Sequence, residues 1–293
     1  MILDLVWNYN GSTLLTSCKD KMVRLVDPRT GSTQAQCEAH DGTKTTKIEY
    51  LGNSNKFASV GFTRQSKRQL KIWDIKKLDK ELSALDIDQA AGVIMPFYDE
   101  DINVLYLAGK GDGNIRYYEI VDEDPYQFFI GEYRHNAPCR GVAMLPKRVV
   151  NTADCEVTRM LKLTTSTVEP LRFIIPRKSD LFQSDIFPDC RAPKAALSAD
   201  AFFDGKSANP VLMSLDPKKR TDAPAASEVT MAKVKTAADV QKELDAALKR
   251  VHDLEDLLKV RCCHACAGAD SLPVRNTTLP CRKTRSARAP VRV

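Results

Sequence analysis

The chain has 293 residues, of which 43% are hydrophobic, and a formal net charge of +6. This length accommodates one sizeable domain with appendages, and the hydrophobic content is ordinary for a globular protein. No apolar run approaches the roughly 18 residues of a membrane-spanning helix, and the N-terminus lacks the basic segment of a signal peptide. We therefore expect neither a transmembrane segment nor a secretory leader.

The excess positive charge lies at the C-terminus. Residues 262–293 hold six basic residues and one acidic residue, a balance of +5, which leaves +1 of the +6 for everything before them. A nearly neutral body of mixed sign does not resemble a phosphate-binding surface, so we expect no nucleic-acid partner. Widely spaced cysteines in the first 190 residues are typical of reduced thiols in a cytosolic protein. They are Cys18, Cys37, Cys139, Cys155 and Cys190.

In chain order, residues 1–175 predict four successive groups of short strands. Each predicted strand is a run of aliphatic and aromatic residues bounded by turn residues. The predicted strands are 3–7, 13–17 and 22–26; then 47–51, 57–61, 69–75 and 84–88; then 92–98, 104–108, 115–120 and 126–133; and finally 141–145, 157–164 and 167–175.

The first three groups share a closing pattern, read as VRLVD, LKIWD and IRYYE. Their acidic residues, Asp27, Asp74 and Glu119, are 47 and 45 positions apart. A period of about 40–45 residues with a Trp-Asp ending is the signature of β-propeller blades. The sequence thus predicts an all-β WD-repeat β-propeller of about four blades, a scaffold that presents loops to partners.

Four residues of the second predicted blade are assigned a structural role. His40, Ser59 and Trp73 fall where such repeats place a hydrogen-bonded cluster inside the blade, and Asp74 closes the Trp-Asp pair. The acidic residue that usually completes the cluster is not evident. Because buried polar groups need partners, we interpret His40 as a structural residue and not as a catalytic or metal-binding one.

Three changes of composition divide the remainder of the chain. Residues 176–216 are irregular and rich in proline and phenylalanine, which predicts a strap packed over the propeller. Residues 217–236 are rich in Lys, Ala, Ser, Thr and Pro, which indicates a flexible linker. Apolar residues then recur in steps of three and four over residues 237–261, which predicts a short coiled coil.

The predicted coiled coil has a trimer-type arrangement. Arg250 occupies a g position and Glu255 an e position, so that an arginine can reach a neighbouring helix while its methylenes cover the seam. An amphipathic helix docked on its own domain is the alternative interpretation. The seam residues are Leu244, Ala247, Val251, Leu254 and Leu258.

Residues 262–293 predict a basic, disordered tail. Cys263 and Cys266 have the spacing of half a zinc site, and Cys262 and Cys281 could complete it only through an awkward closure. One half-site without a second pair is insufficient for a closed structural centre, so we expect no bound metal.

No pattern in the chain predicts an enzyme. The four histidines fall in separate segments, and no nucleophile elbow, phosphate loop or paired-carboxylate motif occurs in a supporting context. The glycine-rich residues 109–113 lie between two predicted strands and open no helix, so they indicate a tight turn. We expect no catalytic residue and no cofactor.

Several long motifs resemble coronin, a WD-repeat protein that binds actin filaments. The similarity covers roughly residues 3–216 and, more loosely, the helix at 237–261. The motifs are NGSTLLTSCKDK (10–21), DPR (27–29), QLKIWD (69–74), PFYD (96–99), VLYLAGKGD (104–112), IRYYEI (115–120), LPKR (145–148) and PRKSDLFQSDIFPD (176–189).

The resemblance implies filamentous actin as a partner, together with the actin-related-protein complex that branches filaments. It also implies a homo-oligomer formed through the coiled coil and a place in the cytoplasm, at the actin cytoskeleton and cell cortex. Coronins have seven-bladed propellers, so we expect the first three blades to be missing here. The family's best-known actin-contact arginine belongs to that part, and no actin-contact residue is assigned. The alternatives are a WD-repeat scaffold of another assembly and a non-functional fragment.

Overall fold

A computed structural model describes residues 1–177 and 181–219, and four helical positions at 245 and 248–250. Residues 1–222 form one compact unit and residues 223–293 a second. The four helical positions all have exposed side chains. Apart from residues 217–219 and these four, the predicted linker, coiled coil and tail lie outside the described residues. Within the described part of the chain, no helix is long and apolar enough to cross a membrane.

Four antiparallel sheets follow one another along the chain, and we call them blades 1 to 4. Blade 1 consists of β1 (Ile2–Trp7), β2 (Leu14–Cys18), β3 (Met22–Val26) and β4 (Thr33–Glu38). Blade 2 consists of β5 (Lys47–Tyr50), β6 (Lys56–Phe62), β7 (Arg68–Asp74) and β8 (Ser83–Asp88). Blade 3 consists of β9 (Ile94–Asp99), β10 (Val104–Gly109), β11 (Asn114–Ile120) and β12 (Gln127–Arg134). Blade 4 has three strands, β13 (Gly141–Met144), β14 (Glu156–Leu163) and β15 (Val168–Ile174).

In the blades, the predicted strands coincide with observed strands to within two residues at each end, and one blade strand was missed. The missed strand is β4, whose sequence TQAQCE is largely polar and whose side chains are mostly exposed. An outer strand that packs on one neighbour needs little apolar surface, so β4 lacks the pattern that identifies the inner strands.

The hydrophobic core is divided into clusters, three of which join consecutive blades. Phe57 and Trp73 of blade 2 pack with Leu15 and Val23 of blade 1. Leu70 and Ile72 of blade 2 meet Leu105 and Leu107 of blade 3, while Met160 of blade 4 packs against Tyr106 and Ile115 of blade 3. Each blade therefore buries its faces on its neighbours, as the predicted propeller requires.

The two ends of this series of blades keep apolar side chains exposed. On β1, Leu5 is 53% exposed and Trp7 is 49% exposed. On β15, Val168 is 59% exposed and Ile174 is 49% exposed. These side chains lie on the terminal blades, where within the described residues no further blade packs against them.

The strap contains β16 (Cys190–Arg191), β17 (Leu212–Met213) and the short helix α1 (Ala199–Phe203). Two 3-10 turns, Lys147–Val149 and Thr152–Asp154, lie in the β13–β14 connection of blade 4. Ile186, Phe187 and Leu215 are buried against Val150 and Val157 of blade 4. Among the phenylalanines of the strap, Phe187 is buried, Phe182 stacks on it with ring centroids 5.9 Å apart, and Phe203 is 67% exposed.

Candidate binding surfaces

The predicted polar cluster of blade 2 is assembled in its interior. The Trp73 indole donates to the Ser59 hydroxyl oxygen at 2.9 Å, and His40 Nε2 lies 2.9 Å from the same oxygen. Burial, followed by the nearby charge of Lys71, lowers the pKa of His40 to about 4, so its ring is neutral at neutral pH. His40 is 1% exposed, and Nδ1 has no hydrogen-bond partner within the described residues. This inaccessible site connects strands within the blade.

Asp74 lies outside that cluster. Its carboxylate accepts a hydrogen bond from the backbone N–H of Lys76 at 2.9 Å, in the turn that follows β7. None of the residues predicted for the His40–Ser59–Trp73 cluster is therefore an acidic residue within it.

Gly61 lies directly beside the His40 ring. A Cβ at this position would be 2.5 Å from His40 Cδ2, so only glycine fits here without displacing the ring.

Of the predicted oligomerisation residues, the structure describes only Arg250. It is helical and its side chain is exposed. The remaining residues of the seam lie outside the described part of the chain: Leu244, Ala247, Val251, Leu254, Glu255 and Leu258.

Equivalent turns of three blades each expose a cation at one end of the blades, which we call the basic end. The β2–β3, β6–β7 and β10–β11 turns are equivalent in blades 1 to 3 and expose Lys19, Arg64 and Lys110. Their side chains make no ion pair or hydrogen bond with any described residue. The β4–β5 and β12–β13 connections reach the same end and add Arg140, the carboxylate of Asp41, and Lys44, whose ammonium lies 4.5 Å from the centroid of the Phe62 ring. Sequence analysis missed this feature because the cations are far apart in sequence and only the fold brings them to the same end.

Two arginines attach the strap to distant blades. Arg191 of β16 donates to both carboxylate oxygens of Glu100, at 2.9 and 3.0 Å, and its guanidinium lies 4.8 Å from the centroid of the Tyr9 ring. Arg29, in the β3–β4 turn, donates to the backbone oxygens of Phe202 and Lys206 at 2.8 and 2.6 Å. The strap thus contacts blade 1 and the β9–β10 turn of blade 3, as well as blade 4.

Between the inner strands and β16 lies a cavity of about 560 Å³, which we call the concave cavity. Its wall combines aromatic, acidic and apolar side chains contributed by all four blades. Lys147 binds Asp99 at 2.6 Å and reaches Asp101 at 3.6 Å. Burial, opposed by Lys147, raises the pKa of Asp101 to about 6. The lining includes Leu5, Trp7, Tyr9, Glu49, Tyr50, Tyr98, Glu100, Asp101, Met144, Lys147, Arg148 and Arg191.

Within the described part of the chain, no three His, Cys, Asp or Glu side chains form a group able to hold a metal ion. The cysteines proposed and then rejected as zinc ligands, Cys262, Cys263, Cys266 and Cys281, lie outside that part. None of the five cysteines in the strand region forms a disulfide within the described residues.

Comparison with known proteins gives consistent similarities. Residues 168–210 match the model of a type of WD40 repeat, which spans β15 and most of the strap. The chain is 48% identical over 215 residues to Coronin-A of Dictyostelium discoideum, covering 73% of this chain and 48% of that protein. It is 41% identical over 219 residues to human Coronin-2A, covering 74% of this chain and 42% of that protein.

The fold is also similar to a solved structure. The crystal structure of the WD40 domain from Toxoplasma gondii coronin superposes with a TM-score of 0.70 at 30% identity, covering 74% of this chain and 56% of that one. The chain spans about half the length of the curated relatives it matches.

Proposed function

Because the chain is a coronin homologue along its WD-repeat region, we propose that it binds actin filaments as a cytoskeletal regulator, a scaffold and not a catalyst. The observation that best supports a filament contact is the basic end, where three equivalent turns each present a partnerless cation. Unpaired surface cations favour association with an acidic partner and accelerate it. The proposed setting is the cytoplasm, at the actin cytoskeleton and cell cortex, with the filament-branching complex as a second partner.

Reversing the three cations is expected to weaken binding to filamentous actin about tenfold or more, because each attraction becomes a repulsion. The variant carries Lys19→Glu, Arg64→Glu and Lys110→Glu, and affinity is measured by co-sedimentation with filaments. A matched variant makes the same charge change in the exposed β7–β8 connection at the opposite end of the blades: Lys76→Glu, Lys77→Glu and Lys80→Glu.

The control is expected to bind within about twofold of the unmodified chain, since surface charges away from a contact contribute little. An equal loss of filament affinity in both variants would show that the basic end is not the filament contact. An unmodified chain that stays in the supernatant at saturating filament concentration would contradict the proposed function itself.

We further propose that the segment 237–261 joins three chains as a parallel coiled coil. Arg250→Ala is expected to shift a peptide of this segment from trimer towards monomer, because it removes both a charge pair and the methylenes that cover the seam. The neighbouring Lys249, which is also helical and exposed, falls at an outward f position, so Lys249→Ala is the matched control. Sedimentation equilibrium measures the mass, and an unmodified peptide that is monomeric at high micromolar concentration would refute the trimer.

A further inference from the structure

The concave cavity combines three properties that a small binding site needs. It has room for a side chain, at about 560 Å³. Its apolar wall includes Leu5 and Met144, and its aromatic wall includes Trp7, Tyr50 and Tyr98. Concave, largely apolar sites with a few convergent polar groups are the usual ligand sites of proteins.

Two cations of the wall are paired with carboxylates of the same wall, whereas one carboxylate has no partner among the described residues. Lys147 is paired with Asp99 and Asp101, and Arg191 is paired with Glu100. Glu49 of β5 is half-buried and makes no hydrogen bond or ion pair with any residue that the structure describes. A carboxylate removed from water without a partner is unfavourable, so this position favours an added cation.

The cavity already accommodates a basic group at its rim. The Arg191 guanidinium makes two hydrogen bonds to Glu100 and lies over the Tyr9 ring, 4.8 Å from its centroid. This arrangement pairs a carboxylate with an aromatic face, which is how proteins bind cationic side chains. Glu49 and the half-buried Tyr98 line the same cavity, so a carboxylate and an aromatic ring are again contributed to one wall.

We propose that the concave cavity binds a basic side chain of a partner peptide, a lysine ammonium or an arginine guanidinium, with Glu49 as its counter-ion. The aliphatic stem of such a side chain would pack on Leu5 and Met144, while its charged end meets Glu49. This site is separate from the basic end, which is suited to the opposite charge, so either proposal can fail without the other.

The protonation of Glu49 makes this binding depend on pH. Burial, followed by the charge of Asp4, raises the pKa of Glu49 to about 8, and Arg191 partly opposes this effect. Asp4 forms an ion pair with Lys47, and Arg191 forms one with Glu100. Both charged groups that shift the pKa of Glu49 are therefore already paired. A cation binds the ionised carboxylate, so affinity is expected to rise roughly tenfold per pH unit up to pH 8 and then level off.

Trp7 provides the readout, because it lines the cavity and is 49% exposed, whereas Trp73 is buried. The probes are the peptides acetyl-Ala-Arg-Ala-amide and acetyl-Ala-Lys-Ala-amide, titrated at pH 8 while tryptophan fluorescence is recorded. The citrulline analogue of the first peptide is the uncharged control, and acetyl-Ala-Glu-Ala-amide is the control of opposite charge. The full chain is used, unmodified and as Glu49→Gln, with Glu119→Gln as an exposed carboxylate outside the cavity.

Saturable binding of the arginine or lysine peptide is expected, at least tenfold tighter than that of the citrulline peptide. Glu49→Gln should weaken it at least tenfold and abolish the rise between pH 6 and 8, while Glu119→Gln should leave both unchanged. Thermal unfolding checks that Glu49→Gln is folded. We expect it to be at least as stable as the unmodified chain, because the change removes an unpaired carboxylate. Unchanged binding in Glu49→Gln, equal binding of the citrulline peptide, preference for the glutamate peptide, or no saturable binding would each overturn the proposal.

Discussion

A polypeptide of these 293 residues is expected to unfold at least about 10 °C below a version extended at its N-terminus by three blades of a coronin, and to aggregate more readily. The reason is the exposed apolar surface on the terminal blades, at Leu5 and Trp7 of β1 and at Val168 and Ile174 of β15. Burying one such side chain fully contributes about 1.5–3 kcal/mol. The combined burial free energy of several such side chains is similar in size to the ~5–15 kcal/mol net stability of a whole domain.

Differential scanning calorimetry and light scattering on both polypeptides test this expectation, and co-sedimentation with actin filaments extends it to function. For a unit of this size, each kcal/mol of stability shifts the midpoint of unfolding by ~2–4 °C. The shorter polypeptide should also bind filaments much more weakly, because unprotected strand edges and faces favour association with other copies. A sharply melting, monodisperse 293-residue chain that pellets with actin as well as the extended version would contradict the prediction.

The second large effect is expected at Arg68, the central residue of an ion-pair network between blades 2 and 3. Arg68 is 2% exposed, binds both carboxylate oxygens of Asp88 at 2.5 Å and reaches Asp112 at 2.6 Å. Arg68→Met is expected to lower the free energy of unfolding by about 3 kcal/mol, because it keeps most of the side-chain volume but leaves Asp112 unpaired and Asp88 with one partner. Urea unfolding measures the change.

The adjacent Lys67 supplies the control. Its ion pair with Asp86 joins two side chains that are 50% and 46% exposed, so Lys67→Met should lower the free energy of unfolding by less than about 1 kcal/mol.

The effect of Arg68→Met should also depend on pH. Burial raises the pKa of Asp88, but hydrogen bonds and charge from Arg68 and Arg116 outweigh this effect, and the pKa of Asp88 lies below its ordinary value of 3.8. A carboxyl group whose pKa is lower in the folded state stabilises the fold at pH values above its unfolded-state pKa. The difference in free energy of unfolding between Arg68→Met and the unmodified chain should therefore shrink as pH falls below about 4. A difference that is unchanged down to pH 3 would refute the electrostatic explanation.

The blades were predictable because the strands that build them carry their own local signals. A strand such as β10, VLYLAG, is buried along its whole length and is bounded by turn residues, so its pattern does not depend on distant parts of the chain. The resemblance to coronin rested on motifs of this kind and is confirmed. Conversely, β4 was missed because its side chains face solvent and its place is fixed by hydrogen bonds to β3.

The candidate surfaces were less predictable because they join residues that are far apart in sequence. Arg191 and Glu100, which meet at the rim of the concave cavity, are separated by 91 positions. Glu49 alternates with apolar residues on β5, as a solvent-facing residue would, and its half-buried position arises only because other blades and the strap close over it. The basic end likewise contributes one cation per turn, and only the parallel arrangement of the blades brings these cations to the same end.

The attachment of the strap to blade 1 determines when that blade can be completed. Arg29 and Phe202 are 173 residues apart, and the Phe202 ring also packs edge-to-face on Trp7 with centroids 6.5 Å apart. During synthesis, the strands of blade 1 leave the ribosome long before this partner exists. Trp7 and Arg29 therefore remain uncovered by the strap until about 165 further residues after blade 1 have been translated, roughly ten to thirty seconds at ordinary elongation rates. Blade 1 thus obtains its full set of contacts long after its own strands have been synthesised, and during that interval its exposed apolar side chains depend on protection from their surroundings.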